Sequence, residues 1–498
     1  MFGIGLTNIG CAAASGISLS IAITSPIVNA NVMLNSQTAS TGAISQPGTT
    51  ATTITGTISN SGTVVVKLGS TTLGSAIISG LNWSYSWTPT LAQLGSAQTL
   101  NATVTATIGG ATANASGVLI NVAMIGQVGS RTTVPGAASA SLAYNFRQAE
   151  HNRTGQSLAG IGVSMVNGFV STSGVETTSG GTLTYNGTIE YPSGTVIGNI
   201  TWNGVSSVTV AELAVQHSDI TPVPSLVPPD AVFFVNMRII PNGAAKTPYT
   251  SAWGGINTAL GDGVVQTSSD LTNSPATIAA GGNGLGGTNE LRCAAIFGVH
   301  STRKAIILLG DSRQGATGDL TVDSTGNEGE IPRALGQVRP ILNVGRGSDE
   351  RQWFVASHAF RAPFSNLCAV AIDAYGINDF RTGSRTSAQF LADGVTVRTL
   401  LALPYYQCTP MMASVGAWTL ADGSDQAVNS TINTPRVTAC TAIRAGIVGD
   451  AGFHEIAWQL ELTHDVGKWK ADGTTNKYTG DGLHETTFAN QSLVLTPP

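Results

Sequence analysis

Three short blocks in the C-terminal part of the chain contain residue types suited to nucleophilic catalysis. They are a Gly-Asp-Ser tripeptide at 310–312, a Gly-Ile-Asn-Asp block at 376–379 and an Asp-Gly-Leu-His block at 481–484. A serine hydroxyl is a poor nucleophile until a neighbouring imidazole takes its proton, and the imidazole needs an acceptor on its other nitrogen. The short spacing of Asp481 and His484 lets one local turn supply both groups.

The elements around these blocks predict an α/β domain at 300–498. Residues 305–309 form a continuous apolar run, which predicts a buried parallel strand, and the serine tripeptide follows it directly. Further strands are predicted at 341–343, 369–373 and 400–403, and helices at 330–337, 386–391 and 453–462. Strands that alternate with helices predict a parallel sheet, and open sheets of this type hold their sites at the carboxyl ends of the strands.

The order and spacing of the three blocks resemble those of the SGNH (GDSL-like) hydrolases, over about residues 303–490. That family has a GDS nucleophile turn, a glycine after the next strand, a G-x-N-D block and a D-x-x-H block. The resemblance implies that Ser312 is the nucleophile, that His484 is the general base, and that Asp481 orients the imidazole and stabilises its cation. It also implies a three-layer, flavodoxin-like fold and ester hydrolysis without a cofactor or a metal.

The same resemblance implies three donors for the oxyanion of the tetrahedral intermediate. Two are Asn378 and the amide of Ser312, and the third is the amide of a glycine that follows the second strand. The sequence there offers Gly347, with Gly345 close behind. The commoner family motif has its glycine immediately before the acidic residue, where this chain has Ser348. Loss of one such donor typically costs about 2.7–4 kcal/mol of transition-state stabilisation.

Residues 1–125 are predicted to form an immunoglobulin-like β-sandwich. Apolar and hydroxyl side chains alternate between turns rich in Gly, Asn and Ser, and the segment loosely resembles bacterial and phage Ig-like repeats. Trp83, Tyr85 and Trp87 would share one face of a strand. Burial in the core is the favoured interpretation of these aromatics, and an exposed platform that stacks on sugar rings is the alternative.

Residues 126–160 are predicted as a linker, and residues 161–299 as a second β-rich sandwich, with carbohydrate binding as one interpretation of its role. Hairpins are predicted at 186–187 and 203–204, and a strand at 232–240. A glycine-rich segment at 282–287 satisfies the G-x-G-x-x-G pattern but has neither a clear strand before it nor a helix after it. We interpret it as a flexible turn and not as a nucleotide site.

The charge distribution argues for a location outside the cytosol. Charged residues make up 10% of the chain, and Lys67 is the only charged side chain before position 130. Mixed charge normally keeps a cytosolic surface soluble, so we expect an extracellular or virion-associated protein. The N-terminus shows no clear signal peptide and no apolar run long enough to span a membrane. The net charge of −5 has no basic cluster behind it, which argues against a nucleic-acid partner.

The remaining titratable residues offer no rival chemistry. The five cysteines include no C-x-x-C pair, and Cys408 with Cys440 is the favoured disulfide. His454 and His464 lie outside any H-E-x-x-H motif and are expected to be surface or packing residues. The acidic stretch at 319–330 is expected to be a solvated loop near the substrate mouth.

These features predict a multidomain chain with all-β N-terminal regions and a C-terminal SGNH-type hydrolase domain. The leading hypothesis is removal of O-acetyl groups from a surface polysaccharide, so an acylated carbohydrate is the expected partner. One alternative is a lipase or general carboxylesterase, with an apolar groove after the fourth strand built from Tyr405, Tyr406, Met411, Met412 and Trp418. Another is a non-catalytic phage tail protein or adhesin. A homo-oligomer or a phage tail assembly is left open, because no motif decides between them.

Overall fold

The chain divides into two compact units, residues 1–36 with 45–124, and residues 37–44 with 125–498. The structure is a computed structural model. The structure describes residues 20–25, 30–33, 37–38, 43–44, 51–89, 97–106, 111–115, 117–250, 256–281, 290–315, 317–319, 321–382, 385–446 and 451–498. The glycine-rich segment at 282–287 lies outside the described residues. No helix of the described residues is long and apolar enough to cross a bilayer.

The first unit consists of antiparallel strands, with one parallel pair. Its strands are Ile21–Ser25, Ala30–Met33, Thr52–Ile58, Gly62–Leu68, Thr71–Ser75, Ile77–Ser79, Asn82–Trp87, Ala97–Ala106, Thr112–Asn114 and the start of Val118–Gln127. Inward positions alternate with outward ones, as in the buried Val64, Val66 and Leu68. The immunoglobulin-like assignment of this unit stays a prediction.

The three clustered aromatics of the first unit do not form an exposed platform. Trp83 and Trp87 are 2% and 5% exposed, so the core interpretation is confirmed for both rings. Tyr85 is half-buried, and its hydroxyl donates a hydrogen bond to the carbonyl of Leu73 at 2.6 Å. These side chains therefore pack within the unit and do not offer three stacked faces to a sugar.

The second unit begins with a β-rich region. Its strands are Thr132–Thr133, Ala137–Ala138, Tyr144–His151, Leu158–Val166, Phe169–Val170, Glu176–Thr177, Leu183–Glu190, Val196–Asn199, Ser207–Val210, Val215–His217, Thr221–Val227, Val232–Pro241, Pro248–Tyr249, Gly263–Gln266 and Ala295–His300, and its one described helix is Pro275–Ala280. The short pair Gln37–Thr38 and Ala43–Ile44 also belongs to this unit. Phe146, Tyr185, Phe233 and Met237 pack together in its core.

The prediction of a linker at 126–160 is wrong. Strand Tyr144–His151 lies inside a sheet, between Val232–Pro241 and Gly263–Gln266, and most of its residues are buried. The charged residues of this segment are paired inside the protein. Arg147 contacts Glu190 at 2.6 Å and Arg131 contacts Asp262 at 2.5 Å. Burial of such pairs is tolerated because each charge has a partner.

The two predicted hairpins have opposite outcomes. Asn203 and Gly204 have φ values of 52° and 77°, so the second turn is confirmed. The first is wrong, because residues 186–187 lie within strand Leu183–Glu190. A Cβ on Gly187 would lie 2.4 Å from the sulfur of Met237. That glycine permits close packing of adjacent strands and makes no turn.

The C-terminal region contains a six-stranded parallel sheet. The strand order is Thr132–Thr133, Ile341–Asn343, Ile306–Leu309, Val370–Asp373, Tyr405–Cys408 and Gly452–His454, and every neighbouring pair is parallel. The helices are Glu330–Leu335, Arg351–Ala356, Ile377–Arg381, Ser387–Leu401, Ser430–Arg444, Ala457–Leu460 and Thr487–Ser492, with a 3₁₀ turn at Ala362–Leu367 and a hairpin of Ser414–Gly416 and Gln426–Val428. The predicted parallel α/β sheet is therefore confirmed, whereas the three-layer arrangement stays a prediction.

Two element predictions in this region are wrong. The apolar residues at 400–403 end helix Ser387–Leu401, which stops where Ala402 takes a φ of 52°, and the strand begins later at Tyr405. The predicted helix at 453–462 contains instead a strand, Gly452–His454, followed by the short helix Ala457–Leu460. Both errors confuse a helix with a strand, because apolar residues occur in buried strands and on buried helix faces alike.

The expected disulfide is absent from the described residues. Cys293, Cys368, Cys408 and Cys440 are all free and buried. The thiol of Cys440 lies 3.6 Å from the carbonyl oxygen of Pro410 and is a weak donor to it. The prediction of a bond between Cys408 and Cys440 is therefore wrong, and these cysteines act as small buried side chains. Cys11 lies outside the described residues.

Candidate active site

Ser312 lies just beyond the carboxyl end of a fully buried strand. Strand Ile306–Leu309 has neighbours on both sides in the parallel sheet, and the chain turns directly after it. The turn packs closely, because a Cβ on Gly345 would lie 2.4 Å from the carbonyl oxygen of Gly310. Ser312 Oγ lies 2.8 Å from Nε2 of His484, 172 positions later in the chain.

Asp481 holds the other nitrogen of the same imidazole. Its Oδ2 lies 2.6 Å from Nδ1 of His484, and its Oδ1 accepts hydrogen bonds from the amides of Leu483 and His484 at 2.8 and 2.9 Å. Partial burial opposes the carboxylate charge, but the hydrogen bonds from the imidazole and from these two amides outweigh it and hold the pKa of Asp481 well below its usual range. Asp481 is therefore a charged acceptor at any pH at which the protein would work.

The loop that carries Asp481 and His484 is fixed at Gly482. Its carbonyl oxygen accepts hydrogen bonds from the Trp469 indole at 2.9 Å and from the Ser414 amide at 3.1 Å. Its amide donates to the Thr479 hydroxyl at 2.9 Å. Gly482 has a φ of 74°, and an added Cβ would lie 1.9 Å from the carbonyl oxygen of Ser414, so no other residue fits this position.

Asn378 lies in the first turn of helix Ile377–Arg381, directly after strand Val370–Asp373. Its side-chain amide donates to the carbonyl oxygen of Asp349 at 3.1 Å. That contact joins the block at 376–379 to the loop after strand Ile341–Asn343. One of the two amide protons of Asn378 takes part in it, so the side chain retains a second donor.

The loop at 343–349 distinguishes the two candidate glycines. The amide of Gly345 donates to the side chain of Asn343 at 3.0 Å, so this donor is already engaged inside the loop. Gly347 is half-exposed, and a Cβ on it would meet no atom within 4 Å. Ser348 has a φ of 66°, the left-handed conformation that favours glycine, at the position where the commoner family motif has glycine. The geometry thus favours Gly347 over Gly345 and adds the Ser348 amide as a candidate.

Asp349 anchors this loop through its buried carboxylate. Its Oδ2 accepts from the Arg361 guanidinium and from the Tyr375 hydroxyl, both at 2.7 Å. Burial raises the pKa of Asp349, while the Arg361 charge opposes the rise. Because the carbonyl of the same residue accepts from Asn378, the anchored loop also positions that side chain.

Sequence reasoning missed Arg313, which follows Ser312. Its guanidinium is buried and lies 3.2 Å from Asp311, 3.9 Å from Glu330 and 3.9 Å from Glu485. Glu485 follows His484, so one arginine links the turn that carries the serine to the loop that carries the histidine. The sequence places an arginine next to the serine, but its partners lie far away in the chain and give no local signal.

Two further expectations are wrong. The acidic stretch at 319–330 is not a solvated loop, because Asp319 and Glu330 are buried and Asp319 pairs with Arg333 at 2.8 Å. The apolar groove proposed for a lipase does not form from its expected residues, since Tyr405, Met411 and Met412 are buried and the two methionines pack in the hydrophobic core. Apolar side chains at these positions contribute to the core and are not accessible to a ligand.

The other two histidines of interest contact aromatic rings. His454 stacks on Tyr406 with ring centroids 5.6 Å apart, and His464 stacks on Trp458 at 4.1 Å. Burial lowers the pKa of His454 to about 4, which keeps it neutral. Among the described residues no group of three His, Cys, Asp or Glu side chains is placed to hold a metal. The expectation that both are packing or surface residues agrees with these contacts.

A depression of about 420 Å³ lies beside the loop that carries Asp481 and His484. Its lining includes Asp481 and Leu483, the hairpin residues Val415 and Val428, and Arg381. The lining is mainly apolar. Its position next to the residues around His484 makes it the candidate substrate-binding surface.

Comparisons with known proteins found similar solved structures. A family two carbohydrate esterase from Clostridium thermocellum, in complex with cellohexaose, is 12% identical over 71% of this chain and 90% of its own, with a TM-score of 0.25. A peptidoglycan O-acetylesterase is 11% identical over 74% and 79%, with a TM-score of 0.28. An acetyl xylan esterase is 15% identical over 38% and 94%, with a TM-score of 0.27. No protein-family model matches the chain, and no curated protein matches it. At these TM-scores the similarities do not assign the chain to a family.

Proposed function

We propose that this chain is a serine esterase of the SGNH type that removes acyl groups, with O-acetyl groups on a surface polysaccharide as the leading substrate. The observation that carries the proposal is the pair of contacts on His484. Its Nε2 lies 2.8 Å from Ser312 Oγ, and its Nδ1 lies 2.6 Å from Asp481 Oδ2. A hydroxyl, an imidazole and a carboxylate in this sequence of contacts form a nucleophile, a base and an orienting acceptor.

In the first step Ser312 Oγ attacks the carbonyl carbon of the ester while its proton passes to Nε2 of His484. Asp481 accepts the hydrogen bond from Nδ1–H throughout, which fixes the tautomer and stabilises the imidazolium. The depressed pKa of Asp481 favours this role, because the residue keeps its negative charge while the ring becomes positive.

The tetrahedral intermediate carries its negative charge on the former carbonyl oxygen. We assign its stabilisation to the side-chain amide of Asn378 and to the backbone amides of Ser312 and Gly347, with the Ser348 amide as the neighbouring candidate. The C–O bond to the alcohol then breaks, and the alcohol leaves with the proton from His484. A water molecule, deprotonated by the same imidazole, attacks the acyl-enzyme and releases the carboxylic acid.

The size of the acyl group separates the leading hypothesis from a general carboxylesterase. The apolar residues around the 420 Å³ depression, Val415, Val428 and Leu483, favour the second candidate if that depression holds the acyl chain. Hydrolysis of p-nitrophenyl acetate, butyrate and octanoate by wild type and Ser312→Ala tests both. A deacetylase prefers acetate, a carboxylesterase prefers the longer chains, and equal turnover by the Ser312→Ala variant contradicts both.

A polar depression in the β-rich region supports glycan binding by residues 161–299. It has a volume of about 360 Å³ and is lined by amide, hydroxyl and charged side chains, among them Asn186, Asn199, Arg238 and Asp270. Such groups pair with sugar hydroxyls, and Asn186 and Asp270 already contact each other at 2.6 Å. Affinity electrophoresis of Ser312→Ala in gels with acetylated xylan or acetylated pectin tests this role. We expect retardation that Asn186→Ala weakens, whereas unchanged migration in both gels contradicts it.

The non-catalytic alternative makes a different prediction for the same proteins. A tail protein or adhesin would bind a polysaccharide and release no acetate, and the fold alone does not exclude this. Acetate release from acetylated xylan or pectin by the wild type, lost in Ser312→Ala, supports the esterase. The proposed extracellular or virion-associated location rests on the low charge of the N-terminal region.

A further inference from the structure

Among the described residues, Arg381 differs from several other arginines of this region in having no partner side chain. Arg351, Arg361 and Arg436 are fully buried and pair with Asp373, Asp349 and Glu461. Arg381 is exposed, and within the part of the chain that the structure describes it forms no ion pair and no side-chain hydrogen bond. Its five N–H donors are therefore available to a ligand.

The position of Arg381 relates it to the candidate active site. It ends helix Ile377–Arg381, one turn after Asn378, so both residues lie on the same side of that helix. It also lines the 420 Å³ depression together with Asp481 and Leu483. A ligand in this depression would therefore contact the guanidinium while its ester group lies near His484.

Asp481 also lines this depression, but among the described residues it forms no ion pair with Arg381. Asp481 uses one carboxylate oxygen for the imidazole of His484 and the other for the amides of Leu483 and His484. The remaining lining is mainly apolar, with Val415, Val428 and Ile432, and it also contains the polar Ser414 and Asn429. A cation that lines a mainly apolar depression attracts an anionic group and repels a second cation.

We propose that the esters hydrolysed at this site carry a carboxylate, which Arg381 binds while the ester lies at Ser312. This inference rests on the proposed esterase function and deepens it, because it names the substrate class: acyl esters of acidic compounds, such as O-acetylated sugar acids. A planar guanidinium binds a carboxylate through two parallel hydrogen bonds, which orients the substrate as well as holding it. Arg381 is thus a specificity-determining residue that takes no part in bond making.

The test compares two esters that differ in one charge. The probes are 4-acetoxybenzoate, with a carboxylate on the alcohol part, and 4-acetoxybenzamide, its neutral counterpart. Wild type, Arg381→Gln and Arg381→Lys are assayed on both, and the intrinsic reactivity of each ester cancels in the ratio of variant to wild type. We expect Arg381→Gln to lose roughly 10- to 100-fold in kcat/KM on the acidic ester, chiefly through KM, because a hydrogen bond to a charged group is lost. Its activity on the amide should stay within about twofold, and Arg381→Lys should recover part of the loss.

The matched control is Arg398→Gln. Arg398 lies near the C-terminal end of helix Ser387–Leu401, which leads into strand Tyr405–Cys408. It therefore lies near the amino ends of the strands, whereas the candidate site lies at their carboxyl ends. We expect this variant to match wild type on both esters. Higher ionic strength should reduce the preference of wild type for the acidic ester and leave Arg381→Gln unaffected.

The carboxylate could lie on the alcohol part or on the acyl part of the substrate. Mono-p-nitrophenyl succinate against p-nitrophenyl butyrate tests the acyl part in the same variants. A selective loss with 4-acetoxybenzoate alone identifies acidic alcohols such as sugar acids, and a selective loss with the succinate alone identifies dicarboxylic acyl groups. Equal losses on charged and neutral esters overturn the assignment of Arg381 while leaving the esterase intact. Absence of any hydrolysis by wild type overturns the esterase, and the inference with it.

Discussion

Arg313, the residue after Ser312, lies 3.9 Å from the carboxylate of Glu485, the residue after His484. The nucleophile and the base are thus held together both directly, through their own hydrogen bond, and indirectly, through the ion pair of their neighbours. Asp311 and Glu330 complete the surroundings of the guanidinium, so one cation lies among three buried carboxylates.

Replacement of Arg313 by methionine should be strongly destabilising. It removes the cation and leaves buried carboxylates without a partner, which typically costs about 3–5 kcal/mol. The free energy of unfolding of the second unit, from urea titration, measures the effect. Arg385→Met is the matched control, because Arg385 and Asp393 form a partly exposed pair at 2.8 Å, for which about 0–1 kcal/mol is expected. Equal losses in the two variants would show that the buried cluster has no special role.

Replacement of Asp481 by asparagine should lower kcat by as much as roughly 10⁴-fold, as loss of the orienting carboxylate does in a serine protease. The amide can present the wrong group to Nδ1 of His484, so the imidazole adopts a tautomer that cannot accept the serine proton. Initial rates with p-nitrophenyl acetate measure this loss. Asp472→Asn should keep full activity, since Asp472 is an exposed residue that pairs with Lys477. A loss of less than tenfold in Asp481→Asn would remove Asp481 from the triad.

Replacement of Asn378 by alanine should reduce kcat by about 10²- to 10³-fold with little change in KM, because the donor acts on the oxyanion and not on the ground state. The side chain also contacts the carbonyl of Asp349, so the melting temperature must be measured alongside. A folded variant with raised KM and unchanged kcat would assign Asn378 to substrate binding instead.

Stability should depend on pH through Glu328. Burial raises the pKa of Glu328 to about 7. The folded protein therefore binds this proton more tightly than the unfolded chain, whose carboxyl has a pKa of about 4.3. The corresponding stability is fully present below pH 4.3 and is lost as the pH rises through about 7.

Glu328→Gln removes this titration, so its melting temperature should fall less than that of wild type between pH 5 and pH 8. Across this range the free energy of unfolding of wild type should fall by on the order of 2 kcal/mol more than that of Glu328→Gln, at about 1.4 kcal/mol for each unit of pKa shift. Glu212→Gln, at an exposed position, should follow wild type. Parallel curves for wild type and Glu328→Gln would contradict a raised pKa.

Local patterns made part of this protein predictable. The strand at 306–309, its serine turn and the block at 376–379 could be read from the sequence, because a buried parallel strand is a short apolar run and the reactive residues follow it directly. Ser312 and His484 were identified from the order of short blocks, and their contact agrees with that order.

Long-range pairing explains what the sequence could not reveal. The segment at 126–160 was predicted as a linker, whereas its Arg147 pairs with Glu190, which lies 43 positions later in the chain. Strand Thr132–Thr133 from the same segment adds to the edge of the parallel sheet beside Ile341–Asn343, across more than 200 residues. Residues 400–403 lie at the end of a helix with one buried face, and periodicity cannot separate that from a strand in so short a run.

The most direct test of the central claim is covalent labelling of Ser312. Wild type, Ser312→Ala and His484→Ala are incubated with diethyl p-nitrophenyl phosphate, which phosphorylates an activated serine and releases p-nitrophenolate, and the site is located by peptide mass spectrometry. We predict one diethylphosphoryl group on Ser312 of wild type, none at that position in Ser312→Ala, and a much slower reaction in His484→Ala, with esterase activity lost in parallel with labelling. Label on another residue, or an unlabelled Ser312 in a protein that still hydrolyses esters, would contradict the account.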